Sequence, residues 1–148
     1  MKYRKATGID HELILNLWDR SVTATHHFLK LEDKLEIREE IPLYFPHLDV
    51  RLWFVEGSFV GFSGTHQNYL EMLFLDPDKS GRGYGTQIIQ LLIKEFGVNS
   101  VDVNKDNERA KMFYLKNGFS IVNESPTDSS GRLYPILHLK LQQNRISR

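Results

Sequence analysis

The stretch "YLEMLFLDPDKSGRGYGTQIIQLLIKEF", Tyr69 to Phe96, limits the fold more than any other part of the chain. It opens with a strand-length apolar run that Asp76-Pro77 stops, because proline has no N–H to give to a ladder. It closes with Ile88, Ile89, Leu92, Ile93 and Phe96 at helical spacing, followed by Gly97 as a left-handed cap. Between them stand Gly81, Gly83 and Gly85, so permissive residues crowd the point where a strand hands over to a helix. Two readings fit. The glycines make a turn, or they bare backbone N–H groups at a helix N-terminus, where unpaired donors and the helix dipole favour an anion. A Walker-type phosphate loop is excluded, since Thr86 and Gln87 follow Gly85 where Lys and a hydroxyl residue are needed. A dinucleotide fingerprint is excluded too, because its third glycine falls on Thr86.

The rest of the chain sorts around that handover. "KYRKA" opens as a strand, and Thr7 with Asp10 forms a capping box. Ile9, Leu13, Ile14, Leu17 and Trp18 then predict a helix to about Ser21, after which β-branched Val22, Thr23 and Thr25 break the period. A second helical stretch runs from Leu35 to Tyr44, interrupted at Pro42 and closed by Pro46. "VRLWFVEG" and "SFVGFSGTHQ" flank Glu56-Gly57 as a hairpin. Beyond the glycine segment come the strand "SVDV", the helix "NERAKMFYLKNGF" and the strands "FSIV" and "LYPILHLKL". Asn123 to Arg132 is the most loop-like segment, and the tail "QQNRISR" reads as frayed. No linker or repeat divides the 148 residues, so the expectation is one domain, residues 1–148. Hairpins first and β–α–β units later predict an α/β (α+β) fold, a mixed sheet with helices on both faces. Trp18 and Trp53 read as core, and Arg51 and "REE", Arg38 to Glu40, as solvated faces.

"NERAKMFYLKNGF", Asn107 to Phe119, follows the pattern N-x-x-A-x-x-F-Y-x-x-x-G-F. That pattern resembles a motif of the GNAT (Gcn5-related) N-acetyltransferases, and "GRGYG" after a strand and Asp-Pro resembles the same family's acyl-CoA pyrophosphate loop. The two lie in the family's order and spacing, and the element order fits nearly the whole chain. Within the family, "SVTATHHFL" and "GRLYPILHL" are similar to the small bacterial YjaB-like acetyltransferases. One position departs: Ser80 stands where the family loop usually opens with Gln or Arg, leaving Lys79 or Arg82 to compensate and weaker CoA affinity as the risk.

The resemblance implies a GNAT fold, with a mixed, mostly antiparallel central sheet. It implies transfer of an acetyl group from acetyl-CoA to a primary amine of a small molecule or peptide, by direct attack in a ternary complex. It assigns Gly81, Arg82, Gly83, Tyr84, Gly85 and Thr86 to the cofactor's pyrophosphate. A bulge splays the preceding strand in this family, which gives Leu73, Phe74 and Leu75 to the pantetheine arm and a backbone N–H near Leu73 to the thioester carbonyl. Asn107 would hold the arm by its amide. The motif gives Tyr114 the role of proton donor to the departing thiolate, and a phenol with a pKa of about 10 keeps its proton at neutral pH.

Glu71 and His26 compete as the base that takes the amine's proton. Glu71 is the only acid in "YLEMLFL", where a charge is costly unless it faces water or a site. Strict alternation puts it on the face of Leu73 and Leu75, two residues before the expected bulge. His26 titrates near neutrality and lies in "TATHHF", between the first two helices, with His27 as an alternative ring. Against these roles stand plainer ones: a core tyrosine, an exposed strand glutamate, a surface histidine pair. His66 and His138 are further candidates for the cleft. A catalytically silent acyl-CoA-binding module is the competing reading from another class, and nucleotide binding through the glycine loop is a third.

Composition removes other classes. The 19 Lys plus Arg balance 19 Asp plus Glu, so no global field draws the chain to nucleic acid or an anionic membrane. Cysteine is absent, which excludes disulfides, thiolate metal sites and a cysteine nucleophile. The histidines and acids lack metal-ligand spacing, and no metal is expected. The N-terminus lacks the apolar segment of a signal peptide, and no apolar run nears the roughly 20 residues of a membrane span. The expectation is a cytoplasmic enzyme, with homodimer formation left open.

Overall fold

The computed structural model describes residues 1–142, so the tail "QQNRISR" lies outside it from its second residue onward. The elements are β1 (Lys2–Lys5), α1 (His11–Thr25), α2 (Leu31–Tyr44), β2 (Asp49–Val55), β3 (Ser58–His66), β4 (Tyr69–Leu75), α3 (Tyr84–Phe96), β5 (Ser100–Asn104), α4 (Glu108–Lys116), β6 (Phe119–Ser125) and β7 (Ile136–Leu141). They form a seven-stranded sheet in the order β1-β2-β3-β4-β5-β7-β6. Every neighbouring pair is antiparallel except β4 and β5. The predicted hairpin joins β2 to β3, and its turn residues Glu56 and Gly57 both take positive φ, 50° and 80°. That conformation suits the right-handed twist of the paired strands.

Helices cover both faces of the sheet, as the element order predicts. On one side α3 and α4 pack on Trp53, Val101, Val103, Phe119 and Leu139, with Ile88, Ile89 and Leu92 at the contact. On the other, Ile14, Leu17, Trp18 and Val22 of α1 and Ile41 of α2 meet Leu52 and Phe62. Leu52 and Trp53, both fully buried, show the alternation of a strand covered on two sides. Among the described residues, no helix is long and apolar enough to cross a membrane.

Three local expectations are corrected. The first helix does not end near Ser21 but continues to Thr25, because Val22 is buried and the Thr25 hydroxyl donates to the Ser21 carbonyl (2.7 Å). Burial and a local hydrogen bond outweigh β-branched propensity there. Ile9, expected on the core face, lies in a 3-10 turn and is 91% exposed. The second helix starts at Leu31, four residues early, and holds Pro42 in its last turn, where the missing N–H costs one ladder bond. Its weak apolar pattern, with only Ile41 fully buried, hid that start.

Two charged groups expected in solvent are not there. Arg51 pairs with Asp49 and lies 3.7 Å from the centre of the Phe96 ring. Glu40 is drawn to Arg132, which also takes Glu36 and Asp128 and so ties the β6–β7 loop to α2.

Candidate active site

The site begins where the sheet divides. β4 and β5 pair only through Tyr69 with Ser100 and Leu70 with Val101; beyond Leu70 the two strands diverge. On its other edge β4 stays with β3, and the Asp76 N–H donates to the Val60 carbonyl at 2.8 Å. In an antiparallel ladder hydrogen-bonded and unbonded pairs alternate. That phase commits Phe74 and Met72 to β3 and turns the N–H and C=O groups of Leu73 and Leu75 toward the gap.

A bulge sits at Glu71, not two residues later. Gly64 opposes Met72 and Thr65 opposes Leu70, leaving Glu71 unmatched. The bulge breaks the expected alternation. Leu73 and Leu75 pack into the α3–α4 core. Glu71 instead has Asp102 and His66 as its titratable neighbours. Burial first, then the Asp102 charge, raises its carboxyl above the usual range, and His66 works against the shift.

The glycine segment closes one end of the gap. Gly81 and Gly83 take φ of 78° and 79°, and open space lies where a Cβ would stand on either. Gly83 caps α3, whose first ladder bond runs from the Gln87 N–H to the Gly83 carbonyl (3.1 Å). The amides of Tyr84, Gly85 and Thr86 therefore have no acceptor inside the helix. Gly85 is glycine for a different reason from the one expected. A Cβ there would lie 2.9 Å from Leu75 Cδ1 and 3.2 Å from Phe113 Cε1, so the residue lets α3 approach β4 and α4 closely. The segment's approach is fixed by Asp76, which takes Arg20 at 2.9 Å and the Asp78 N–H at 3.0 Å.

One cleft of about 580 Å³ runs along this gap. Glu71, Leu73, Phe74, Leu75 and Tyr114 line it, as do Gly81, Gly83, Tyr84, Gly85, Thr86, His26 and Asn107. Arg82 stands exposed outside the lining. Lys79 and Ser80 both line the cleft, and the Lys79 ammonium donates to the Phe59 carbonyl (3.3 Å). His27, His66 and His138 do not line it.

Tyr114 is 6% exposed, edge-on to Phe113 and Phe119. Among the described residues nothing hydrogen-bonds its hydroxyl, and burial raises its pKa, so the phenol keeps its proton through the neutral range. His26 is half-buried between Thr25, Phe28 and Phe74. Thr25 spends its hydroxyl proton on the Ser21 carbonyl, so His26 Nδ1–H donates to Thr25 Oγ1 (2.7 Å) and Nε2 carries the lone pair. Nε2 faces the Asn107 amide nitrogen at 3.4 Å, and Asn107 Oδ1 caps α4 through the Ala110 N–H (3.2 Å). Burial, with a smaller push from His27, lowers the His26 pKa to about 4.

Two cleft residues were not foreseen. Arg109 lies inside the α4 motif, and Asp102 lies on β5 between buried Val101 and Val103. The charge inside "SVDV" was the available signal for Asp102, of the same kind that singled out Glu71.

Comparisons with known proteins agree with this architecture. A family model for the acetyltransferase (GNAT) domain matches residues 49–121. The chain is 32% identical to the peptidyl-lysine N-acetyltransferase YjaB of Escherichia coli K12 over 139 residues, 92% of this chain and 93% of that protein. The solution structure of apo-form YjaB from Escherichia coli superposes with a TM-score of 0.87 at 30% identity, over 97% of this chain and 98% of that one. The structure of yncA from Salmonella typhimurium with acetyl-CoA shares the fold, with a TM-score of 0.62 at 18% identity over 100% of this chain and 96% of that one. The chain belongs to the GNAT family of N-acetyltransferases.

Proposed function

We propose that the protein acetylates the side-chain amine of lysine in a peptide or protein, using acetyl-CoA in a ternary complex. The observation that carries this reading is the divided sheet: an unpaired β4 edge at Leu73 and Leu75 leads to free helix amides at one end and to Glu71 beside Asp102 at the other. The lysine specificity follows the peptidyl-lysine activity for which the YjaB relative is named.

The residues fit acetyl-CoA. The amides of Tyr84, Gly85 and Thr86, with bare Gly81 and Gly83, suit a pyrophosphate, and Arg82 supplies a cation at the rim. Leu73 and Leu75 offer strand-like hydrogen bonds to the amides of a pantetheine arm, with Phe74 between them turned to β3 and Asn107 opposite. The bound cofactor supplies an activated acetyl thioester. The chain polarises the thioester carbonyl through the Leu73 N–H, takes the amine's proton on Glu71 and returns a proton to sulfur from Tyr114. Glu71 is preferred to His26 as the base. The histidine's pKa of about 4 makes it a weak proton acceptor, and its lone pair already faces Asn107.

The test is CoA release from acetyl-CoA with an N-terminally blocked lysyl peptide, beside the same peptide carrying norleucine. Release with lysine alone supports the reading. Acetyl-CoA binding by calorimetry without release for any amine would reduce the protein to a silent acyl-CoA-binding module.

A further inference from the structure

The fork of the sheet has a residue on each arm. Leu70 and Val101 are the last paired residues of β4 and β5; Glu71 and Asp102 are the first beyond them, and both line the cleft. Asp102 is not left to swing. Its Oδ1 accepts hydrogen bonds from the Tyr69 hydroxyl and from His138 Nδ1, the latter at 2.7 Å. His138 Nε2 in turn meets Ser125 Oγ at 2.6 Å. A neutral ring that donates from Nδ1 to a carboxylate must accept at Nε2, so the serine hydroxyl donates and the line is internally consistent. Among the described residues, Oδ2 of Asp102 has no partner.

The line has the members of a hydrolase triad, but it runs the other way. The carboxylate lies at the cleft, while Ser125 does not line it, so serine is an anchor here and not a nucleophile. What reaches the cleft is a fixed negative charge with one free oxygen, placed across the fork from the proposed base.

We propose that Asp102 binds the acceptor's ammonium group beside Glu71, so that the enzyme favours primary aliphatic amines that arrive protonated over amines that arrive neutral. Tyr69 and His138 are positioning residues that hold its Oδ1. This rests on the acetyltransferase reading above and deepens it. The ammonium R–NH₃⁺ gives one proton to Glu71, and its nitrogen then bonds to the acetyl carbon as the carbon–sulfur bond breaks. The second proton leaves nitrogen and replaces the one that Tyr114 gives to sulfur. The products are the amide, the free thiol of CoA and one proton, released from Glu71. Besides Asp102, the titratable groups that act on Glu71 are His66 on β3 and Tyr69 on its own strand; His26, Asp76, Lys79, Tyr84, Arg109 and Tyr114 line the same cleft.

The experiment compares two blocked peptides on the full chain: one with lysine, one with its aminooxy isostere, which has the same reach but is neutral at pH 7.5. Wild type should favour lysine in KM. Asp102→Asn keeps the shape and an oxygen for Tyr69 but removes the charge. It should raise KM for the lysyl peptide about 10- to 100-fold, the range of one hydrogen bond to a charged group. It should leave KM for the aminooxy peptide and for acetyl-CoA unchanged. The acid limb of kcat should move to lower pH, because a neighbouring anion no longer holds the Glu71 proton. His138→Ala should shift the lysyl KM the same way, by less. Equal losses for both peptides would mean that Asp102 only shapes the cleft, and an unchanged lysyl KM in a folded Asp102→Asn protein would overturn the proposal outright. No release by wild type with either peptide would instead refute the lysine acetyltransferase reading, and the inference with it.

Discussion

Gly85→Ala probes the close approach of α3 to β4 and α4 beside the cleft. The added Cβ would lie 2.9 Å from Leu75 Cδ1, and 3.2 and 3.4 Å from two atoms of the Phe113 ring. All three are side-chain atoms, so each neighbour must yield by a few tenths of an ångström. Overpacking of this kind costs about 1–3 kcal/mol. Alanine regains at most about 1 kcal/mol of helix propensity over glycine, so the net falls between neutral and roughly 2 kcal/mol of destabilisation. For a domain of this size that is a drop in Tm of up to about 8 °C. Leu75 and Phe113 both line the cleft, so their displacement should also weaken acetyl-CoA. One misplaced hydrogen bond, at about 1 kcal/mol, corresponds to a roughly fivefold rise in Kd. Thermal unfolding and calorimetric titration measure both. Phe113→Leu in the Gly85→Ala background makes room and should recover part of the stability, a coupling that a double-mutant cycle reads directly. A Gly85→Ala protein more stable than wild type, with unchanged cofactor affinity, would refute the close-packing account.

Tyr114→Phe should lower kcat by about 10²- to 10⁴-fold while acetyl-CoA affinity stays within a few-fold, because the hydroxyl acts as charge builds on sulfur. Its stability should stay close to wild type, since the ring is kept and the hydroxyl, at the cleft, has no partner among the described residues; unchanged single-turnover rates would return Tyr114 to the core. Glu71→Gln should slow transfer most at low pH, where the acceptor is mainly protonated, and a normal pH–rate profile would shift the base role to another group. The lowered His26 pKa makes the unfolded chain bind the extra proton between about pH 6.5 and 4. Stability contributed there is present above that window and falls by up to about 3 kcal/mol as pH drops through it. His26→Gln should flatten that slope in denaturant titrations, and an identical slope would show that His26 is not desolvated.

Much of this was legible because the informative residues are local. Asp76-Pro77, the three glycines and the apolar face of α3 fix strand, turn and helix within a few neighbours, and Glu56-Gly57 fixes a hairpin in the same way. The Asn107–Phe119 pattern carried the family because its residues stand at set positions along α4, its cap and the turn into β6. What stayed hidden depends on partners far along the chain. The bulge at Glu71 is created by the register of β3, through Gly64 and Thr65, and no alternation rule on β4 alone can place it. The reason for Gly85 lies in Leu75 and in Phe113, 28 positions away, and the extension of α1 to Thr25 lies in the burial of Val22 against the sheet. Asp102 acquires its setting from Tyr69 and His138, which only strand order brings together.

The fork also divides the fold mechanically. β1 to β4 form one sheet half and β5 to β7 the other, and only two residue pairs of backbone ladder join them, with the α3–α4 core spanning the seam. A cofactor lying in the gap would act as the missing length of strand, touching both halves at once. Any ligand that binds only the folded state adds stability by mass action, about 2.7 kcal/mol at a hundred times its Kd. Here that gain would fall at the seam, so amide hydrogens of β4 and β5 would exchange more slowly as acetyl-CoA rises. The lifetime of the folded enzyme would then track the supply of its own acetyl donor.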